Sequence, residues 1–284
     1  MRDDIGKPIG MTAWLPLQDL EEACAELQAL GFEGMSVVFT QVGSRLIPAP
    51  VYEAHYAAVG DLIRESGLIV STLNVIEEPP NFDPFATESS LDHTVEQLAK
   101  HLRNALAMGA PGILIWDGRA DAEEQLISAS TTLVECLGRA RQLAGSGTSD
   151  LQISVELHPF TFGLKHHKLE ELAPLLAGVG AGFCIDFCHL GVAAGGDFLH
   201  ILTPSVLDAT NEIHYADTDC KTSEFHFAAG RGNLNLPALE KHFSGRSLPV
   251  SLDLFQWPAP RSGVRTSWND FSNFVRAQIP PANN

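Results

Sequence analysis

Four short apolar segments in the second half of the chain each carry one side chain able to bind a metal ion or move a proton. Glu156 lies in Ile153-Ser154-Val155-Glu156-Leu157-His158, and Asp186 in Phe183-Cys184-Ile185-Asp186-Phe187-Cys188-His189. His214 lies in Glu212-Ile213-His214-Tyr215-Ala216, and Asp253 in Val250-Ser251-Leu252-Asp253-Leu254-Phe255. Side chains on a strand alternate between faces. As strands, these segments therefore place Val155 and Leu157, Ile185 and Phe187, Ile213 and Tyr215, and Leu252 and Leu254 on one face, with Glu156, Asp186, His214 and Asp253 on the other. An unpaired buried carboxylate is costly, so Glu156 and Asp186 inside apolar runs are hard to explain as structure alone. Three carboxylates and one imidazole converging at one sheet end suit a single divalent cation, Mn²⁺ first and then Mg²⁺, Co²⁺ or Zn²⁺. Such an ion can chelate a carbonyl and its neighbouring hydroxyl, which stabilises the enediolate left when the carbon between them loses a proton. Glu156 and Asp253 are the candidate acid-base pair for that transfer. A leaving hydroxyl at the β position would turn the same equipment to elimination.

Four segments can converge only if the elements around them form a single sheet. Apolar short runs alternate with longer amphipathic stretches, the pattern of strand-helix-strand units in a parallel sheet. Strands are expected at Ile9–Trp14, Met35–Phe39, Leu68–Val75 and Ile113–Trp116, followed by the four segments above. Helices are expected at Leu17–Leu30, Tyr52–Glu65, Leu91–Met108 and from about Ala122 to Leu143, with Gly31, Gly67 and Gly109 as stop signals. Gly145-Ser146-Gly147-Thr148-Ser149 reads as a flexible loop rather than a domain linker, because neither half alone would close a sheet.

Bulk properties are compatible with this picture. A chain of 284 residues, 45% hydrophobic, can bury a large core, and α/β barrels use about 250 residues as one domain. The start, Met1-Arg2-Asp3-Asp4, lacks a charged-then-apolar leader pattern, and no apolar run approaches the roughly 20 residues of a membrane helix. A cytoplasmic protein is expected. Five cysteines without paired spacing, Cys24, Cys136, Cys184, Cys188 and Cys220, point to small buried thiols rather than disulfides or structural zinc. A net charge of −17 disfavours nucleic acid and anionic membranes as partners.

Gly31-Phe32-Glu33-Gly34, Val155-Glu156-Leu157-His158-Pro159, Ile185-Asp186-Phe187-Cys188-His189, His214-Tyr215-Ala216-Asp217 and Gly230-Arg231-Gly232 resemble, in order, the motifs of the xylose-isomerase-like TIM-barrel superfamily. That group includes sugar isomerases, keto-sugar 3-epimerases, 3-dehydroshikimate dehydratases and endonuclease IV. The resemblance implies a single-domain (β/α)8 TIM barrel of the α/β class over residues 1–284. It implies a metal-dependent isomerase or epimerase of carbohydrate metabolism, acting on a keto sugar or related polyol. A lyase of the dehydratase type is the alternative. Glu156, Asp186, His214 and Asp253 fall on the four metal positions, and His189 on the substrate-contacting histidine. Two departures stand out: Asp253 replaces the commoner Glu, and Tyr215-Ala216-Asp217 lacks the lysine of the usual Leu-Lys-Asp, a contact that Lys221 or Arg231 would have to replace. A nuclease would need further histidines from the third and fourth strands, where this chain has Asn74 and Trp116. A non-catalytic sugar-binding barrel is the remaining class.

Around this core, His158, His189, Trp14, Trp116 and Arg231 are the candidate substrate contacts, the tryptophans as apolar faces for a sugar and Arg231 as a donor fork. Glu224 and His226 form a candidate lid contact or an extra ion site. His166-His167 is read as a solvated turn. The expected partner is a polyhydroxylated small molecule, and a homo-oligomer is compatible with the chain.

Overall fold

The computed structural model describes residues 9–11, 20–38, 53–75, 88–118, 125–165, 169–195, 198–222, 225–254 and 260–278. Its strands are β1 (Ile9–Met11), β2 (Gly34–Val38), β3 (Ile69–Asn74), β4 (Gly112–Trp116), β5 (Gln152–Glu156), β6 (Ala181–Asp186), β7 (Thr210–Tyr215) and β8 (Val250–Leu252). They form one eight-stranded sheet in the order β1-β8-β7-β6-β5-β4-β3-β2, with parallel pairing at every step. β1 and β2 lie side by side at the remaining seam, so the sheet curls into a barrel. Helices cover its outside: α1 (Leu20–Leu30), α2 (Glu53–Glu65), α3 (Glu88–Met108), α4 (Leu126–Ala144), α5 (Phe162–Lys165), α6 (Leu169–Ala177), α7 (Phe187–Ala194), α8 (Pro204–Asp208), α9 (Leu236–Phe243) and α10 (Pro260–Gln278). The molecule is a single-domain α/β TIM barrel.

The core divides along the strand alternation. Ile153, Val155, Phe183, Ile185, Ile213, Tyr215, Val250 and Leu252 pack outward into the helix-covered apolar layer with Leu133, Leu137, Leu172, Phe243 and Phe274. The alternate positions point inward, where Leu114 and Cys184 pack as a separate small cluster with Trp116. Helix faces follow the same logic at period 3.6: Leu20, Ala23, Cys24 and Leu27 form the buried stripe of α1, and Leu169, Leu172, Ala173 and Leu176 that of α6. Gly31 and Gly109 end α1 and α3 at φ 92° and 76°, a region costly for other residues.

Several boundaries differ from expectation for local reasons. The sixth strand ends at Asp186, because the carboxylate of Asp186 accepts the His189 amide and caps α7. Phe187, Cys188 and His189 are thus helical. The fifth strand stops at Glu156, leaving Leu157 and His158 in a turn in which the Thr161 hydroxyl donates to the His158 carbonyl. The eighth stops at Leu252, with Asp253 and Leu254 beyond it. α3 starts three residues earlier than expected, at Glu88. The segment expected to be a flexible loop contains a 3-10 turn, Ser146–Thr148, because Arg141 donates to the carbonyls of Thr148, Ser149 and Leu151 beneath it. Trp14, His166, His167 and Glu224 lie outside the described residues.

All five cysteines are free thiols, four of them buried. Among the described residues no helix is long and apolar enough to cross a membrane.

Candidate metal centre

The parallel register places the inward residue at the end of each late strand on one rim: Asp186 is aligned with His214, and His214 with Ser251, two residues before Asp253. Glu156, Asp186, His214 and Asp253 are at most 3% exposed. One donor atom from each falls within 4.8 Å of all the others. Imidazole Nδ1 of His214 is the hub. It lies 2.9 Å from Glu156 Oε1, 3.7 Å from Asp186 Oδ2 and 3.5 Å from Asp253 Oδ2. Glu156 and Asp253, expected on parallel strands across one cleft, meet there.

This geometry dominates the protonation of its members. Burial alone would push the Glu156 carboxyl up, but the His214 charge and hydrogen bond outweigh it and hold the group below its usual range. Asp253 is likewise driven up by burial and pulled down to about 2, chiefly by His226 and then by His214. Burial works against the charged form of His214, and Glu156 and Asp253 overcome it, raising the ring to about 10. Removing any one member would leave a mismatched charge in a dry pocket.

The residues fit a divalent ion. Three carboxylates and one imidazole supply oxygen and nitrogen donors of the right hardness, at the mouth where barrels of this kind place their chemistry. Asp186 Oδ2 is buried without a hydrogen bond and faces the cluster, whereas its Oδ1 accepts the His189 amide at 2.8 Å.

Around the cluster, Trp116 donates Nε1–H to Glu156 Oε2 at 3.0 Å, so the tryptophan proposed from sequence as a sugar platform also orients a carboxylate. His158 is buried with its ring 3.6 Å from that of Phe160, 4.0 Å from His189 and 5.2 Å from Trp116, centroid to centroid. Both ring nitrogens of His189 face protein atoms, Nδ1 at 3.2 Å from the Leu157 carbonyl and Nε2 at 3.3 Å from His226 Nε2. A carbonyl only accepts, so His189 Nδ1 carries the proton and its Nε2 accepts from His226. His226 is buried, with Nδ1 3.4 Å from Asp253 Oδ2, and its ring is held protonated well above the ordinary range, as Asp186 and Asp253 prevail over burial. Arg231 is exposed, in a turn outside the buried cluster. Asp253, Glu156, Asp186 and His214 are thus brought together with Trp116, His158, His189 and His226, while Arg231 is not.

Asp217 and Asp117 are among the buried carboxylates that sequence reasoning passed over. Asp217 accepts the amides of Thr218 and Leu234 on one oxygen and of Gly232 on the other, pinning the turn that carries Arg231. Asp117 accepts the Gly163 amide at 2.7 Å and braces the turn after His158. Burial pushes Asp117 up to about 7, against the Thr161 hydroxyl and the Gly163 amide. Its position between Trp116 and Gly118, at a strand end, is the signal that was available.

Eight parallel strands, an outer layer of helices and an acidic cluster at the strands' carboxyl ends define an α/β barrel with a candidate metal centre. The xylose isomerase-like TIM barrel family matches residues 24–265, and the chain belongs to that family. No curated protein matches it in sequence. Among solved structures it is similar to a sugar phosphate isomerase/epimerase from Parabacteroides distasonis, with TM-score 0.67 and 13% identity over 97% of each chain. A 3-keto-D-glucoside 4-epimerase from E. coli gives 0.66 and 17%, covering 95% of this chain and 99% of that one. Endonuclease IV from Thermus thermophilus gives 0.65 and 17%, again over 95% and 99%. At such identities the likeness concerns the fold, which hosts unrelated chemistries.

Proposed function

We propose that this chain is a divalent-metal-dependent isomerase or epimerase that moves a proton beside the carbonyl of a keto sugar or related polyol. One observation carries the reading: three buried carboxylates and His214 meet within 4.8 Å at the barrel mouth. Glu156, Asp186, His214 and Asp253 would hold the ion, with Mn²⁺ as first choice. When bound, the ion supplies a positive centre that draws charge from the carbonyl and its neighbouring hydroxyl.

The chain's own groups do the rest. Glu156 Oε2, oriented by the Trp116 indole, and Asp253, facing it across the cleft, are the carboxylates that remove and return the substrate proton. Both are held ionised by their imidazole neighbours, the form that can take a proton, while the same neighbours lower their basicity. Trp116 and His158 would place the apolar face of a sugar ring; Trp14 and Arg231 stay proposed contacts, as does His189 if its contact with His226 opens. Glu224 stays a proposed lid or extra-ion contact, and His226 reaches the cluster beside Asp253. The proposal takes residues 1–284 as one domain working in the cytoplasm on a small polyhydroxylated molecule, without nucleic acid. The names borne by two of the structural neighbours, a sugar phosphate isomerase/epimerase and a keto-glucoside epimerase, support the sugar class.

The test is Mn²⁺-loaded protein with a panel of keto sugars and cyclitols in deuterated water. Deuterium should enter the carbon-bound position, and Glu156→Gln should lower turnover about 10²-fold or more with the fold intact. Only dehydrated product would shift the assignment to a lyase. No exchange with any substrate, together with dispensable metal, would leave a binding barrel.

A further inference from the structure

Asp253 lies one residue beyond β8, where its amide still donates to the Tyr215 carbonyl at 3.1 Å. Its Oδ2 is flanked by two imidazoles, His214 Nδ1 at 3.5 Å and His226 Nδ1 at 3.4 Å. His214 belongs to the four-residue cluster. His226 lies outside it, although one donor atom from it and one each from Asp186 and Cys188 fall within 4.8 Å of one another; it arrives from the segment after β7 and is anchored on its C-terminal side. Phe227 exchanges two backbone hydrogen bonds with Asp217, both at 2.8 Å, and the Ala229 amide donates to the buried Ser267 hydroxyl at 2.9 Å. Behind the ring, Nε2 meets His189 Nε2, which is itself fixed through Leu157. The loop therefore sets one imidazole with Nδ1 against a carboxylate that lies just past the end of its strand.

We propose, on the metal reading above, that His226 is a positioning residue that aims the Asp253 carboxylate at the ion and does not itself bind it. Its Nε2 faces His189 Nε2 at 3.3 Å, and its Nδ1 stands at ion-pair distance from two carboxylate oxygens, Asp253 Oδ2 at 3.4 Å and Asp186 Oδ2 at 3.9 Å. Partners that orient metal-ligating side chains in this way typically govern metal affinity by 10–100-fold.

Two substitutions separate positioning from packing. His226→Phe keeps a ring of similar volume but offers no N–H, whereas His226→Asn loses the ring and keeps an N–H near the place of Nδ1. Calorimetric titration of the chelator-stripped full chain with Mn²⁺ is the readout, with thermal unfolding of the stripped protein recorded alongside. The expected result is that His226→Phe binds Mn²⁺ about 10–100-fold more weakly, and that His226→Asn recovers most of the loss. The reverse order, or wild-type affinity in both variants, overturns the positioning role and leaves the metal centre standing. Loss of all binding in both variants, with unfolding unchanged, would make His226 a ligand and also overturn it. A wild-type chain that takes up no Mn²⁺ defeats the metal reading itself, a distinct outcome. If neither variant folds, Ser267→Ala, which frees the loop at a distance from the cluster, should show a weaker loss in the same direction, and wild-type affinity there rejects the inference.

Discussion

His101 and His214 are both buried, yet the molecule treats them in opposite ways. His101 sits on α3, in the layer between helices and sheet, where Leu98, Leu102 and Ala105 line the same helix face. Burial, aided by Lys100, pushes it down to about 4. His214 sits inside the barrel mouth, where Glu156 and Asp253 overcome the same burial and raise it to about 10. The outer layer removes charge from a polar group; the mouth is built to keep it. Since desolvation disfavours the charged form in both places, the neighbouring carboxylates alone account for the change of sign.

The comparison breaks most completely if the mouth is dismantled. His214→Ala should lose stoichiometric divalent ion in elemental analysis of protein purified without chelator, whereas His101→Gln should retain it. Unchanged metal content in His214→Ala would remove the hub role of its Nδ1.

A smaller effect comes from pH. In the metal-free chain, His214 has a folded value above the ordinary 6.5, so its contribution to stability is full below about 6.5 and disappears as pH rises through about 10. His101 has a folded value below 6.5, so the unfolded chain binds more protons between about 4 and 6.5, and stability falls as pH drops through that window. At about 1.4 kcal/mol per unit, the His101 shift amounts to about 3 kcal/mol. Asp117, raised to about 7, gives a slope of opposite sign over much of the same acid window. The His101 contribution is therefore read as the difference between denaturant melts of wild-type and His101→Gln protein, both chelated. His101→Gln should change only the acid side, and Mn²⁺ should abolish the alkaline fall that comes from His214. A difference between wild-type and His101→Gln that does not change between about pH 4 and 6.5 would contradict the division between the two regions.

The finest probe is Trp116→Phe, which keeps an aromatic ring beside His158 and deletes the indole donor to Glu156 Oε2. A hydrogen bond to a charged group is worth about 1.5–3 kcal/mol, so turnover should fall about tenfold or more while metal content is kept. An unaltered rate would restrict Trp116 to lining the pocket.

Much of this was legible in the chain before folding. Period-two alternation placed Glu156, Asp186 and His214 on the inner face, because the outward positions Val155, Ile185 and Ile213 have to meet helices. Helix stops were marked by glycines that adopt positive φ. Strand ends were harder: Phe187 to His189 read as a continuation of the sixth strand, since an N-cap depends on the orientation of one carboxylate and leaves no mark on apolar periodicity. Turns were harder still. That His226 is buried against Asp253, that Asp217 pins a distant turn and that Asp117 braces the segment after His158 all depend on long-range approach of loops, which no local pattern encodes. Arg231, singled out for its place between two glycines, is exposed, because the carboxylate of Asp217 binds the backbone of that turn and leaves the side chain outside.

Asp186 has one oxygen engaged as the cap of α7 and the other turned to the cluster. The helix therefore fixes the rotamer of a candidate ligand before any ion arrives. Ion capture would cost little conformational entropy at that side chain, and its ordering is supplied once, during folding. The same economy removes a degree of freedom from variation: a substitution at Asp186 alters the helix start and the centre together. Asp186→Asn separates the two roles in part, since the amide oxygen can still cap the helix while the negative charge is gone.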